Sequence, residues 1–226
     1  MTDVLVINYL EKSFKKTLDC LPLLEDCHII IQDRTPKGIG SLAEAINTGA
    51  KRVTNEYFCV VTNIEFDESF NQFLKVRGHV AIQPNYESDH QALRLGKGLV
   101  RVPFTEFTCV LLHTESFHTL GGVDEAMPYV GFDIDFGIRA NQLGSVACHN
   151  DYKIQHTYNR FMPHDPITQQ RKRERRRYED QTYKRLAELY GIDRRTKLPS
   201  YPWERIIQSR KEKDLLLYGK PNQTNK

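Results

Sequence analysis

The sequence is short of several things, and each shortage narrows its function. No run of about 18 apolar residues occurs, so no membrane-spanning helix is expected. The opening stretch MTDVLVINYL has neither a basic flank nor a small-residue cleavage site, and it reads as a buried first strand rather than a secretory leader. Cysteines are few and odd in number (Cys20, Cys27, Cys59, Cys109, Cys148), and none forms a Cys-x-x-Cys pair. That pattern argues against a disulfide framework and against a cysteine metal site, and it suits a reducing compartment. Cys59 and Cys109 lie in apolar runs, where a free thiol behaves as a small hydrophobe. There is no internal repeat.

What is present is an acidic body with a basic end. From His164 onward there are 17 Lys/Arg against 9 Asp/Glu, and before it 15 against 20, so a part of net −5 precedes one of net +8. The chain is 226 residues long, enough for one domain with a sizeable core plus an appendage. We divide it into a catalytic-type domain over 1–163 and a basic helical extension over 164–226. The expected setting is cytoplasmic, with any attachment to a membrane or nucleic acid peripheral and through the extension.

The body reads as alternating strands and helices. VLVIN (4–8) is a continuous apolar run of the kind that forms a parallel strand covered on both faces. A helical stretch follows with Phe14, Leu18 and Leu21 on one side, then a strand at 28–32 ending at Asp33. Ser41 and Glu44 form a capping box that predicts a helix from Leu42, weakened or ended by Gly49. YFCVVT (57–62) is a third buried strand. Strand-helix-strand-helix-strand in this order predicts a right-handed, mostly parallel sheet, with ligands bound at the carboxyl ends of its strands. Further on, the pattern predicts a helix over 69–76, a strand over 79–84 ended by Pro84, a surface loop over 85–98, and a strand over 107–113. A short helix then stops at Gly121-Gly122. Another runs from about Ile134 to a C′ glycine at Gly144, and two short strands lead to His156. The extension is a long charged helix with a thin apolar stripe at Tyr178, Leu186, Leu189 and Tyr190. It cannot bury a core by itself, so it must lie on the body, on a partner, or stay partly mobile.

Four groups of residues carry candidate chemistry. Glu65 and Asp67 directly follow a buried strand, where carboxylates hold a divalent cation bridging a diphosphate; a solvated turn with an N-cap is the competing reading. In YVGFDIDFGIRANQLG, Asp133 and Asp135 open a helix. Cap, macrodipole and an i,i+4 pair with Arg139 account for them structurally. Yet apolar neighbours, and a glycine at 131 where backbone could approach a ligand, suit Asp133 as a general base. His156 ends a strand as a metal ligand or an ordinary strand-end residue. In RKRERRR, Arg171, Lys172, Arg173, Arg175, Arg176 and Arg177 make a surface that attracts phosphate, or a solvated helix face with Glu174 and Glu179 as local partners.

These segments, in this order, resemble the large inverting family two of GT-A glycosyltransferases. VLVINY is similar to that family's first strand. AEAINTGAKRVTNEYFCVVTNIEF resembles its A-x-N-x-G segment followed by a strand and Leu-Asn-x-Asp. LGGVDEAMPYVGFDIDFGIRANQLG resembles Gly-Gly-Phe-Asp-Glu followed by Glu-Asp-x-Asp-Leu-x-x-x-Arg, and YKIQHTYN its last strand with a histidine. The match covers about residues 3–160.

The resemblance implies a GT-A fold, a nucleoside-diphosphate sugar as donor, and Mn2+ or Mg2+ as cofactor. It implies that Tyr9, Asp33, Asn47 and Asn63 bind the nucleotide, that Glu65 and His156 hold the metal with Asp67 as a further candidate, and that Asp133 is the base. Gly121, Gly122, Asp135 and Arg139 fall on the acceptor side. The implied reaction is transfer to an acceptor hydroxyl with inversion. The acceptor is a saccharide or lipid-linked glycan, or a hydroxylated DNA base reached through the basic extension. Two positions depart from the family pattern: Glu65 stands for an aspartate, and Phe132 for a glutamate. These departures support a second reading, a catalytically degenerate nucleotide-binding scaffold whose basic tail meets nucleic acid or membrane.

Overall fold

A computed structural model describes residues 1–8, 11–33, 41–86, 98–156, 166–197 and 201–209. Tyr9 and most of the expected 85–98 loop lie outside these residues. Among the described residues, eight strands form a mixed sheet: β1 (Thr2–Asn8), β2 (Cys27–Asp33), β3 (Tyr57–Val61), β4 (Ile64–Glu65), β5 (Ala81–Tyr86), β6 (Leu99–Arg101), β7 (Cys109–His113) and β8 (Val146–His156). Their order is β2-β1-β3-β7-β5-β8-β4, with β6 alongside β8. Strands β1, β2, β3, β5 and β8 run one way, and β4, β6 and β7 the other.

The apolar runs are buried because both sheet faces are covered. Alternate residues of each strand go to opposite layers. Leu5, Ile7, Phe58 and Val60 pack with Ala43 and Ile46 of α2 (Leu42–Ala50) and with Phe136 and Ile138 of α5 (Phe132–Leu143). Val4, Val6, Cys59 and Val61 pack on the other side with Phe14 of α1 (Glu11–Cys20) and with Phe70 and Phe73 of α3 (Phe70–Phe73). Strand β2 is a sheet edge, so of its three isoleucines only Ile30 is fully buried. A further short helix, α4 (Thr114–Thr119), precedes the Gly121-Gly122 turn as expected.

Several local expectations are corrected by packing. Gly49 does not end α2: the helix reaches Ala50, and a Cβ at 49 would lie 2.4 Å from Leu5 Cδ1, so the glycine permits close helix–strand contact. Pro84 does not end β5, which continues to Tyr86. The pairing with β8 instead shifts register between Pro84 and Asn85, a bulge where the missing proline N–H costs least. The two short strands expected before His156 are one, β8, with the irregularity absorbed by that shift. The predicted 69–76 helix is only the single turn of α3. Gly144 follows α5 with extended backbone (φ 175°), not the left-handed conformation of a C′ glycine.

The extension folds back onto the body. Helix α6 (Pro166–Tyr190) buries Thr182, Leu186 and Tyr190, one residue per turn, and Ile192 beyond it is fully buried in the α2/α5 core. Residues 203–209 are also helical, and Trp203 meets Phe104 edge-on at 5.5 Å.

Gly137, in mid-α5, lies against backbone: a Cβ there would be 2.3 Å from Phe104 Cα and 2.8 Å from the Pro103 carbonyl oxygen. Backbone cannot yield as a side-chain tip can. Gly137→Ala is expected to lose about 1–3 kcal/mol despite alanine's better helix propensity, seen as a lower urea midpoint at unchanged slope.

Candidate active site

Nucleotide-side candidates collect at the carboxyl ends of the parallel strands. Asn8 and Asp33 are register partners at the ends of β1 and β2, and the Asn8 amide donates to Asp33 Oδ1 at 2.6 Å. The turn after β3 is built tightly. Asn63 is buried with φ +33°. The Thr17 hydroxyl of α1 donates to the Ile64 carbonyl at 2.8 Å and accepts from the Ile64 N–H at 3.0 Å. That double contact fixes Ile64 in the core and turns Glu65 outward, where its side chain is 41% exposed and 3.6 Å from the Lys16 ammonium. A hollow of about 360 Å³ opens beside it, lined by Glu65, Phe66, Asp67, Lys153 and Gln155.

The three expected metal ligands are not gathered at one point. Strand β4 pairs with β8 so that Ile64 faces His156 and Glu65 faces Gln155. Neighbours on a strand alternate sides, so Glu65 and His156 leave the ladder in opposite directions. Asp67 accepts from the Ser69 N–H at 2.9 Å and hydroxyl at 2.5 Å, and these bonds hold its carboxyl below the usual aspartate range. It is engaged in the turn that starts α3. Among the described residues no three His, Cys, Asp or Glu side chains are grouped to hold a metal.

The start of α2 is closed to anions. Ser41 Oγ accepts from Glu44 N–H, and the Pro128 carbonyl accepts from the N–H groups of Leu42 (2.8 Å) and Ala43 (3.3 Å). All three free first-turn donors are thereby satisfied. Asn47 likewise serves structure. Its side-chain oxygen accepts from Val123 N–H, and its amide donates to the Val123 carbonyl and to Glu125 Oε1. Gly122 is required there, with φ +74° and a Cβ that would sit 2.4 Å from Asn47 Oδ1. The A-x-N-x-G and Gly-Gly segments are thus two halves of one clamp.

That clamp and the Pro128 contacts bring the segment before α5 to the carboxyl edge of the sheet. At its other end α5 turns through Gly144 and Ser145 directly into β8, so its twelve residues span roughly 18 Å back across the sheet. Asp133, the second residue of α5, is therefore at the same edge as Asn8, Asp33 and Asn63. It is half-buried, and its Oδ1 accepts from Ile134 N–H at 3.0 Å. Gly131 caps the helix at φ +85° without a side-chain bond. It was expected to let backbone approach a ligand. Instead α6 occupies that side, since a Cβ on Gly131 would lie 2.6 Å from Thr182 Cγ2 and 3.0 Å from Leu186 Cδ1. Phe132 is buried edge-on against Phe107, which makes it a core residue where the family pattern has a glutamate.

Asp135 is buried and saturated. Its Oδ2 accepts from Arg139 Nε (2.8 Å) and Nη2 (2.6 Å), and its Oδ1 accepts from the Tyr190 hydroxyl (2.6 Å). Arg139 also donates to the carbonyls of Leu120 (2.6 Å) and Gly122 (3.0 Å). Asp124 of the same loop accepts from Arg185 at 2.7 Å. Sequence reasoning paired Asp135 with Arg139 but missed Tyr190 and Arg185, because nothing local ties a residue of a charged tail to a loop some 60 positions earlier. The Leu186/Tyr190 stripe was the available signal. In the basic run, Arg173 and Arg176 are exposed; the side chains of Arg171, Lys172, Arg175 and Arg177 lie outside the description. Glu179, expected as a partner of that run, meets Arg194 at 3.5 Å.

No family model matches the sequence. A 79-residue stretch is 35% identical to the O-antigen biosynthesis protein RfbC of Myxococcus xanthus, spanning 30% of this chain and only 6% of that protein. Solved structures are similar over much more of the chain. The mannosyltransferase PcManGT from Pyrobaculum calidifontis, solved with GDP-Man and Mn2+, aligns with 96% of this chain and 70% of its own, at TM-score 0.58 and 14% identity. S. aureus TarS with UDP aligns with 68% of this chain and 59% of its own, at TM-score 0.54 and 10% identity. GalNAc-T7 with UDP, GalNAc and Mn2+ covers 69% of this chain and 43% of that one, at TM-score 0.50 and 12% identity. With its strand order, two covered sheet faces and polar carboxyl edge, the chain has the GT-A fold of nucleotide-sugar glycosyltransferases.

Proposed function

We propose that the protein is a metal-dependent glycosyltransferase that moves a sugar from a nucleoside diphosphate to an acceptor hydroxyl with inversion, using Asp133 as general base. The observation that carries this is the placement of a half-buried Asp133 at the carboxyl edge of the sheet, on a helix start tied to α2 through Pro128. As the acceptor oxygen attacks the anomeric carbon, its proton passes to Asp133. The bond from that carbon to the diphosphate breaks, and the nucleoside diphosphate leaves with the electron pair. One displacement inverts the centre. Asn8, Asp33 and Asn63 line the edge that receives the nucleotide.

The donor set fits a hard divalent cation in one specific way. Glu65 is a half-exposed carboxylate lining the hollow after β3, paired among the described residues only with the half-exposed Lys16, and Mg2+ and Mn2+ sites of this kind take one or two carboxylates and complete their shell with substrate phosphates. We therefore assign Glu65 to the cation, with Asn63 beside it, and expect the ion to bind together with the diphosphate. Such an ion neutralises the charge of the departing group. His156 is left outside this set by the strand register, while Asp67, which lines the same hollow as Glu65, stays a further candidate through the oxygen that Ser69 does not hold.

The acceptor carries phosphate in this reading, as a lipid-linked glycan or a hydroxylated base in DNA, drawn by the exposed cations of α6. No described helix is long and apolar enough to cross a membrane. Binding to duplex DNA that falls steeply with salt, against binding to anionic vesicles, separates the two.

The test is a panel of uridine, guanosine and thymidine diphosphate sugars with Mn2+. Donor turnover is expected with one of them and is expected to disappear on chelation with EDTA and return with Mn2+. Clear nucleotide binding with no turnover across the panel would instead support the scaffold reading, which the buried Phe132 and the ungrouped metal ligands favour.

A further inference from the structure

The charged extension holds more of the site than its composition suggests. Four residues over about three turns of α6 grip the two segments that flank Asp133. Thr182 and Leu186 fill the space over Gly131, just ahead of the base. The Arg185 guanidinium holds Asp124 in the Gly-Gly loop. The Tyr190 hydroxyl donates to Asp135, whose other oxygen is held by Arg139, which in turn grips the carbonyls of Leu120 and Gly122. Tyr190 is itself anchored, because its carbonyl accepts from the Tyr201 hydroxyl. Asp135, the node of this network, lies two residues beyond Asp133 on the first turn of α5. The Tyr190 bond thus ties the tail directly to the helix turn that carries Asp133.

We infer that Tyr190 is a positioning residue for the transfer reaction, and that α6 residues 182–190 form a latch setting the orientation of Asp133 and of the 120–124 loop. This rests on the reading of Asp133 as the base. The latch itself is a statement about local order and can be tested apart from activity.

The experiment uses the full chain carrying Tyr190→Phe, which keeps the packed ring and removes only the hydroxyl. Amide hydrogen exchange is expected to speed up at residues 131–135 and 120–124 and to stay unchanged in β1 and β3. In the active enzyme, kcat per folded molecule is expected to fall about 10- to 100-fold, as for a misaimed catalytic group, with the donor KM held within about twofold. Arg185→Gln, at a half-exposed position that does not threaten folding, should shift both readouts in the same direction by less. Lys75→Gln, exposed just after α3 on the opposite face of the sheet, should shift neither. Unchanged exchange at 131–135 in Tyr190→Phe overturns the latch. An exchange increase with kcat per folded molecule unchanged overturns the positioning role. A silent donor panel alongside the exchange increase removes the catalytic reading and leaves the latch standing.

Discussion

Asp133→Asn is expected to lower sugar transfer about 10²- to 10⁴-fold, the usual contribution of a positioned general base, while nucleotide affinity stays near that of the unaltered protein. The substitution is a fair probe because asparagine keeps the shape and one acceptor oxygen. The bond from Ile134 N–H to the side chain survives, so α5 keeps its start. What is lost is the capacity to take a proton. The nucleotide contacts assigned to Asn8, Asp33 and Asn63 come from other strands and are untouched. Isothermal titration with nucleoside diphosphate, set beside a transfer assay, reads both halves. Transfer at the ordinary rate would show that another group takes the proton.

Asp135→Ala is expected to cost about 3–5 kcal/mol of stability, the largest loss we foresee for a single side chain here. The reason is the asymmetry of buried charge. Asp135 and Arg139 are both well shielded (side chains 6% and 16% exposed), and their mutual bonds offset the desolvation of each. Alanine leaves the guanidinium in place with no counter-charge, held by the carbonyls of Leu120 and Gly122 and the Phe136 ring, and leaves the Tyr190 hydroxyl with no carboxylate to meet. Urea unfolding of the two proteins measures the difference. A loss below about 1 kcal/mol, the range of exposed ion pairs, would mean that water reaches the pair and relieves it.

How much could be read in advance depends on the range of the forces involved. The strands read at 4–8 and 57–62 were legible because a continuous apolar run has few solutions other than a strand covered on both faces. The start of α2 was legible because Ser41 and Glu44 act within one turn. Pro84 and Gly49 misled for the same reason: each was weighed by its local preference, whereas a bulge opposite β8 and the close approach of Leu5 decided their places. Asn47 shows the limit most clearly. Its sequence context pointed to the nucleotide, and the structure gives its whole side chain to Val123 and Glu125 across the fold.

The sequence by itself determined the layered α/β class, the order of the first three long strands and the two helices between them, and the i,i+4 pair of Asp135 with Arg139. These follow from periodicity and from contacts a few residues apart, which any folded form of the chain must respect. Tertiary structure alone decided which acids remain available and which are consumed. His156 is turned from Glu65 by strand register, and Asp135 is closed by a tyrosine 55 residues away. A carboxylate's chemistry is set by its partners and its access to water, and those are fixed only when distant segments pack.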